Sequence, residues 1–300
     1  MIARAYASPL RFKEALEQRL RNATQGGAAF ARKRQLLVFD RFLARTVAAL
    51  GDAIVLKGGL VLELRLDRAR STNDIDLRMM GTSDDLLLRL QAAGRLDLGD
   101  FMRFEVGPNP DGAEIDNDGL RYEGLRFRAL CKLAGKPYGQ PFGVDVVFGE
   151  PMLGEPEERV AEDVLGFAGI LPPRLRLYPI ETHIAEKLHA LTMPRLRPNS
   201  RVKDLPDIAL LAGAQSMEAR RLRQAFEQTF AFRGTHPLPM TFPEAPPGWA
   251  TPYAAMARAD ALPWPDLVAV TLAARRFLDP VLAERFDARW EPAEAVWRRC

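Results

Sequence analysis

The sequence predicts an α+β chain: a mixed sheet with flanking helices over residues 1–150, followed by a mainly helical domain over residues 151–300. Three observations carry that expectation. Short runs with two-residue apolar alternation cluster between Ala53 and Phe148, which is the period of strands with one buried face. After Glu150, apolar residues recur at helical spacing in segments broken by proline. The 300 residues, 47% hydrophobic and 27% charged, can bury a substantial core and argue against a disordered chain, a fibre or a repeat array.

Ser8-Pro9 reads as the start of the first helix, with serine as cap, proline at the first helical position, and Leu16 and Leu20 following at helical spacing. Leu36, Phe39, Leu43, Val47 and Leu50 form the stripe of a second helix, preceded by Arg32, Lys33 and Arg34. Ala53 to Leu56 reads as a strand, Lys57-Gly58-Gly59 as a tight turn, and Leu60 to Leu66 as a helix. After the arginine-rich loop Asp67 to Thr72, the segment Asn73 to Met80 sets Asp74, Asp76 and Arg78 against Ile75, Leu77 and Met79, as on a strand with one polar face. A helix over Ser83 to Ala93 follows. Phe101 to Val106, Leu125 to Cys131 and Val144 to Phe148 read as further strands, and Gly107 to Gly119 as a turn-rich loop. In the second half, helices are expected over Ile180 to Thr192, Lys203 to Ala212, Ser216 to Phe230, Asp266 to Phe277 and Pro280 to Trp290. His236 to Trp249 is read as a proline-rich loop.

No apolar run reaches the roughly 18 residues of a membrane helix, and charges interrupt the opening segment where a signal peptide would be apolar. No membrane association and a cytoplasmic location are therefore expected. Two cysteines, Cys131 and Cys300, provide neither a disulfide framework nor a cysteine zinc site. The net charge is only +3, yet Met1 to Leu50 carries ten Lys/Arg against three Asp/Glu, and Arg174 to Arg223 ten against five. Such clusters suit a polyanionic partner, because they displace counterions from phosphates. A solvated arginine-rich surface is the structural alternative.

Asp74 and Asp76 are one residue apart, so on a strand both carboxylates leave the same face, about 7 Å apart at the backbone. Acids this close repel unless a cation lies between them, and magnesium takes hard oxygen ligands from one or two carboxylates plus phosphates. Asp145 lies in the otherwise apolar run Gly143 to Phe148, where an unpartnered carboxylate is costly; it is the geometric candidate for a third acid. A glycine pair between strand and helix, Gly58 and Gly59, lets backbone N–H groups approach a triphosphate at a helix N-terminus.

The stretch Lys57 to Leu77 (KGGLVLELRLDRARSTNDIDL) resembles the signature of the AbiEii/AbiGii (MenT-like) toxin nucleotidyltransferases, through Gly58, Gly59, Arg70, Thr72, Asp74 and Asp76. Glu181 to Leu191 resembles that family's E-x-x-x-x-K-L-x-A-L helix, and Arg201 to Ile208 its R-x-K-D-x-x-D element. The resemblance implies a DNA polymerase β-like nucleotidyltransferase core followed by a helical domain. It implies that Asp74 and Asp76 hold catalytic Mg2+, with Mn2+ as a substitute, and that Lys187 contacts nucleotide phosphates. Asp204 and Asp207 would complete the site. It further implies a toxin of a type IV toxin–antitoxin or phage-defence pair with a cognate antitoxin, using an NTP to modify RNA, with the tRNA 3′ end as the expected acceptor.

Read together, Asp74, Asp76 and Asp145 are expected to hold the metal, with Asp145 helping to deprotonate the attacking hydroxyl. Gly58, Gly59 and Lys187 would neutralise phosphates, Arg70 and Thr72 would shape the rim, and the basic N-terminal helices with the Arg195 to Lys203 loop would embrace RNA. Asp204 and Asp207 have a structural alternative, capping the next helix or pairing with Arg201 and Lys203. His183, His189 and the four tryptophans read as packing residues. Two other functions fit the same residues: transfer to a protein hydroxyl, by AMPylation or phosphorylation, and an RNA-binding module without activity.

Overall fold

The computed structural model describes residues 6–66, 71–110, 112, 124–195, 199–284 and 287–299. Its first helix, α1 (Pro9–Asn22), starts as its sequence requires: the Ser8 side chain accepts a hydrogen bond from the Arg11 N–H at 3.3 Å, and Phe12, Leu16 and Leu20 are buried. α2 (Gly26–Leu50) begins earlier than its apolar stripe, so Arg32, Lys33 and Arg34 lie inside it.

β1 (Ile54–Lys57), α3 (Gly58–Arg65), β2 (Asp74–Met79), α4 (Leu86–Gly94), β3 (Met102–Pro108), β4 (Gly124–Leu133), β5 (Lys136–Pro137) and β6 (Phe142–Phe148) follow. Ile75, Leu77 and Met79 of β2 and Val144 and Val146 of β6 are nearly inaccessible, and they pack beneath α1, α2 and α4 in one hydrophobic cluster. The alternation that makes these runs strands also turns Asp74, Asp76 and Asp145 to the opposite face.

The sheet does not end at residue 150. β7 (Glu157–Val160) and β8 (Arg174–Leu177) extend it, giving eight strands in the order β3-β4-β6-β2-β1-β8-β7 with β5 on β4. β8 runs parallel to β1, and β2 parallel to β6; the remaining main pairings are antiparallel, so the sheet is mixed. The first hydrophobic cluster ends at Leu177, and the second runs from Ile180 onward with Leu62 of α3 added. The division drawn near residue 150 from composition thus falls before the last two strands.

The second cluster is built by α5 (Ile180–Thr192), α6 (Asp204–Ala212), β9 (Met217–Glu218), α7 (Ala219–Arg233), α8 (Ala250–Ala259) and α9 (Leu267–Ala283), closed by a small sheet of β9, β10 (Ala288–Glu291) and β11 (Val296–Arg299). The expected helix over Pro280 to Trp290 is absent. α9 instead continues through Pro280, and Trp290 lies on β10. A proline inside a helix costs about 3 kcal/mol; here Phe277, Leu278, Val281 and Leu282, all fully buried around it, offset that loss. Trp290 and Trp297 pack on Phe277 with ring centroids 4.9 and 5.6 Å away, as packing residues do.

Candidate functional site

β1, β2, β6 and β4 lie side by side, and their registers align four charged residues in one row: Lys57 opposite Asp76, Asp76 opposite Asp145, and Asp145 opposite Arg126. The two acids are therefore neighbours across strands, flanked by a cation on each side. One step along the strands, Asp74 lies opposite Gly143 and accepts its N–H at 3.2 Å. The sequence-expected acids are brought together by strand pairing, with Asp145 supplied by a strand 69 residues beyond Asp76.

Gly58 follows Lys57 directly and starts α3 with a φ of +69°, a conformation that costs an L-residue about 1–2 kcal/mol. A Cβ there would lie 1.8 Å from Asp76 Oδ2, so the glycine is required both by its backbone and by the carboxylate pressed against it. Gly59 is buried in the first turn of the same helix. The N–H end of α3 thus adjoins the acid row.

A cleft of about 350 Å³ opens over this row; its lining includes Lys57, Gly58, Gly59, Asp76, Arg126 and Asp145 from the sheet side and Lys187, Arg195, Arg201, Lys203 and Asp204 from the helical side. Lys187 donates to Asp207 Oδ2 at 2.7 Å and Asp204 Oδ1 at 3.2 Å. Asp204 also pairs with Arg201 at 2.6 Å. Asp204 reaches the cleft, whereas Asp207 is fully buried and grips Lys187 from behind. The two acids of the R-x-K-D-x-x-D element thus clamp a cation rather than join the acids on the sheet.

Thr72 is not part of the cleft lining. Its N–H donates to Glu63 Oε1 at 2.6 Å, its carbonyl accepts from Arg32 Nη1 at 2.8 Å, and its hydroxyl lies 3.5 Å from the Asp74 N–H, so it anchors the start of β2. Arg70 lies outside the described residues. The N-terminal basic stretch, expected to embrace RNA, is divided: Arg11, Arg19 and Arg21 on α1 are exposed, while others of its cations are paired with acids of the fold. Arg41 and Arg45 are buried on Asp100 at 2.8 and 2.6 Å, Arg32 pairs with Glu63, and Lys33 with Glu162.

A second charged group, not anticipated from sequence, lies at the end of the row. Lys57 Nζ contacts Glu150, and Glu186 at 2.9 Å; Arg233 donates to Glu150 Oε1 at 2.8 Å; the Tyr178 hydroxyl donates to Glu186 Oε1 at 2.8 Å. These residues come from β1, the turn after β6, α5, α7 and the turn after β8, so the cluster joins sheet to helices under the cleft. Burial raises the Glu150 carboxyl, but Lys57 and Arg233 outweigh it and hold it down at about 2. Burial and the Glu150 charge push Glu186 up. His189 is buried, donates to or accepts from Thr235 Oγ1 at 2.8 Å, and is driven down to about 3 by burial and by Arg233, so it is a neutral packing residue at ordinary pH.

Burial first, and then the Asp145 and Asp74 charges, against the opposing pull of Lys57, push Asp76 up to about 6. A cation among these acids would relieve that cost, and three hard-oxygen donors on adjacent strands suit magnesium. Asp145 is turned toward Arg126, which holds it through Nε–Oδ1 at 2.9 Å and Nη2–Oδ2 at 2.7 Å. Among the described residues no three His, Cys, Asp or Glu side chains already converge on an ion position; the guanidinium supplies the positive charge at Asp145.

A family model described as nucleotidyl transferase AbiEii toxin, type IV toxin–antitoxin system, matches residues 41–291. Among solved structures, the nucleotidyltransferase toxin MenT4 from Mycobacterium tuberculosis superposes with a TM-score of 0.60 at 16% identity, covering 91% of this chain and 90% of that one. At such identity the likeness concerns the fold. JHP933 from Helicobacter pylori gives a TM-score of 0.39 at 15% identity, over 69% of this chain and 79% of that one. No curated protein is a significant match to the sequence.

Proposed function

Since the chain belongs to the AbiEii family of nucleotidyltransferase toxins of type IV toxin–antitoxin systems, we propose that it moves a nucleoside monophosphate from an NTP to the 3′ hydroxyl of an RNA, tRNA foremost, and releases pyrophosphate. The observation that carries this reading is the acid row with Gly58 pressed onto Asp76, at the foot of a cleft whose other wall is cationic.

The N–H groups at the start of α3 face the triphosphate, and Lys187, held by Asp204 and Asp207, sets a positive charge on the opposite wall. Asp74, Asp76 and Asp145 would hold magnesium, which when bound would supply positive charge for the phosphates and for an approaching hydroxyl. The hydroxyl oxygen bonds to the α-phosphorus, the bond from that phosphorus to the oxygen bridging toward the β-phosphate breaks, and pyrophosphate leaves. Asp145 takes the hydroxyl proton. Arg195, Arg201 and Lys203 at the cleft mouth give RNA phosphates their counter-charge. A cognate antitoxin is the further partner that the family implies.

NTPs labelled at the α-phosphate, offered with total tRNA and with cell protein, should label RNA in the presence of Mg2+. Asp74→Ala and Asp76→Ala should each abolish labelling while leaving the protein folded, as circular dichroism checks. Label from the γ-phosphate, or on protein, would replace this reading by phosphorylation or AMPylation. Full activity in either variant would remove the metal assignment.

A further inference from the structure

Gly143 has no side chain between two that are charged. β2, β6 and β4 place Asp74, Gly143 and Arg128 in one row, next to the row of Asp76, Asp145 and Arg126. The result is a hollow of about 290 Å³ lined by Asp74, Asn109, Arg126, Arg128, Gly143 and Asp145. A Cβ on Gly143 would come within 2.5 Å of Asp74 Oδ1, so the hollow depends on glycine.

The hollow and the main cleft share one wall, the Arg126–Asp145 ion pair. Asp76 faces the cleft, Asp74 faces the hollow, and Asp145 faces both. In-line displacement needs the attacking oxygen and the leaving pyrophosphate on opposite sides of the α-phosphorus. Gly58, Gly59 and Lys187, which suit the leaving triphosphate tail, are all on the cleft side. Across the Arg126–Asp145 wall from those groups, the hollow offers the approach to the acids from the opposite side.

We propose that the hollow over Gly143 seats the terminal ribose of the acceptor strand, with Arg128, and Arg126 when it turns from Asp145, meeting the backbone phosphate next to the attacking hydroxyl. This rests on the nucleotidyltransferase reading above and adds the acceptor's seat to it. Two guanidinium groups beside an acidic wall suit a hydroxyl that arrives with its own phosphate. A serine, threonine or tyrosine hydroxyl of a protein brings no such anion, so the pair favours RNA. Arg128 and Arg126 are both binding residues here, and Arg126 in addition positions Asp145 until it turns away.

Arg128 is solvent-exposed on β4, so Arg128→Ala should fold. The test measures three quantities on wild type, Arg128→Ala and Arg128→Lys: NTP affinity by equilibrium binding with Mg2+, affinity for deacylated total tRNA by filter binding over a salt series, and the KM and kcat for tRNA labelling. Arg128→Ala should weaken tRNA binding about tenfold, the loss of one charge-assisted phosphate contact, and reduce the salt slope by about one. NTP affinity should stay within twofold of wild type, within the about 0.5 kcal/mol usual for surface changes, and KM should rise with kcat little changed. Arg128→Lys should recover part of the binding. Unchanged tRNA affinity and salt slope, or an equal loss of NTP affinity, would overturn the acceptor seat. Weakened tRNA binding in a protein whose wild type labels no RNA would keep the seat and sink the transfer reaction. Labelling of protein with no tRNA binding would sink both.

Discussion

Replacing Gly58 by alanine adds one methyl group at the centre of the site. The new Cβ would stand 1.8 Å from Asp76 Oδ2, 2.4 Å from its Cγ and 2.7 Å from its Cβ, where ordinary contact starts near 3.4 Å. One atom or the other must therefore move by about 1.6 Å. The φ of +69° adds its own penalty for an L-residue, so the stability loss should be about 1–3 kcal/mol. The functional loss should be larger, because displacing a reacting group by about 1 Å can cost about 10²-fold in rate. α-Phosphate transfer to tRNA and urea unfolding, measured on the same preparation, would separate the two effects. The mechanism of the loss is testable by a double-mutant cycle. Asp76→Ala removes the two closest clashing atoms, so the stability cost of Gly58→Ala should shrink in that background, with a coupling above about 0.5 kcal/mol. An alanine variant with wild-type transfer, or a cycle that is additive, would show that Gly58 and Asp76 do not form the tight pair from which the nucleotide site is built.

Asp207→Asn should weaken the anionic clamp on Lys187, lowering kcat about 10-fold or more while the fold survives; single-turnover labelling checks this, and unchanged kcat would refute the clamp. Glu150→Gln should cost roughly 3 kcal/mol at neutral pH, since the carboxyl is held near 2 against an ordinary 4.5. That contribution is complete above pH 4.5 and vanishes as pH falls toward 2, so the stability gap between variant and wild type should close over that interval in acid-unfolding curves. Asp76→Asn should do the opposite in chelator-treated protein. An acid raised to about 6 from 3.8 destabilises the fold above pH 6 and not below 3.8, so the variant should gain up to about 3 kcal/mol on the alkaline side, read by urea unfolding, and added Mg2+ should narrow the gap by stabilising the wild type.

The parts of the site that local chemistry marks were legible in the chain. The paired acids on an alternating strand, the glycine pair before a helix and the lysine on an amphipathic helix each follow from spacing within a few residues, and so do β2, β6, α5 and the Ser8 cap. Periodicity likewise showed strands up to Phe148 and helices from Ile180 on, but not β7 and β8, which carry the sheet past residue 150. Tertiary structure decided the rest. Lys57 meets Glu150 across 93 positions and Glu186 across 129, and Arg126 meets Asp145 across a strand pairing; no periodicity encodes such partners. β7, β8, β10 and β11 have only four residues each and lack a flanking signal such as the glycine pair that follows the equally short β1, and they exist because a neighbouring strand offers its backbone groups for pairing. Charge shows the limit most directly: the same side chain can face solvent, a phosphate or a buried acid, and the choice belongs to whatever the folded chain brings within a few ångströms. Hence three of the N-terminal arginines, Arg32, Arg41 and Arg45, turn inward to Glu63 and Asp100, while Lys57, Arg126 and Lys187 join Arg195, Arg201 and Lys203 around the cleft from places far apart in the chain.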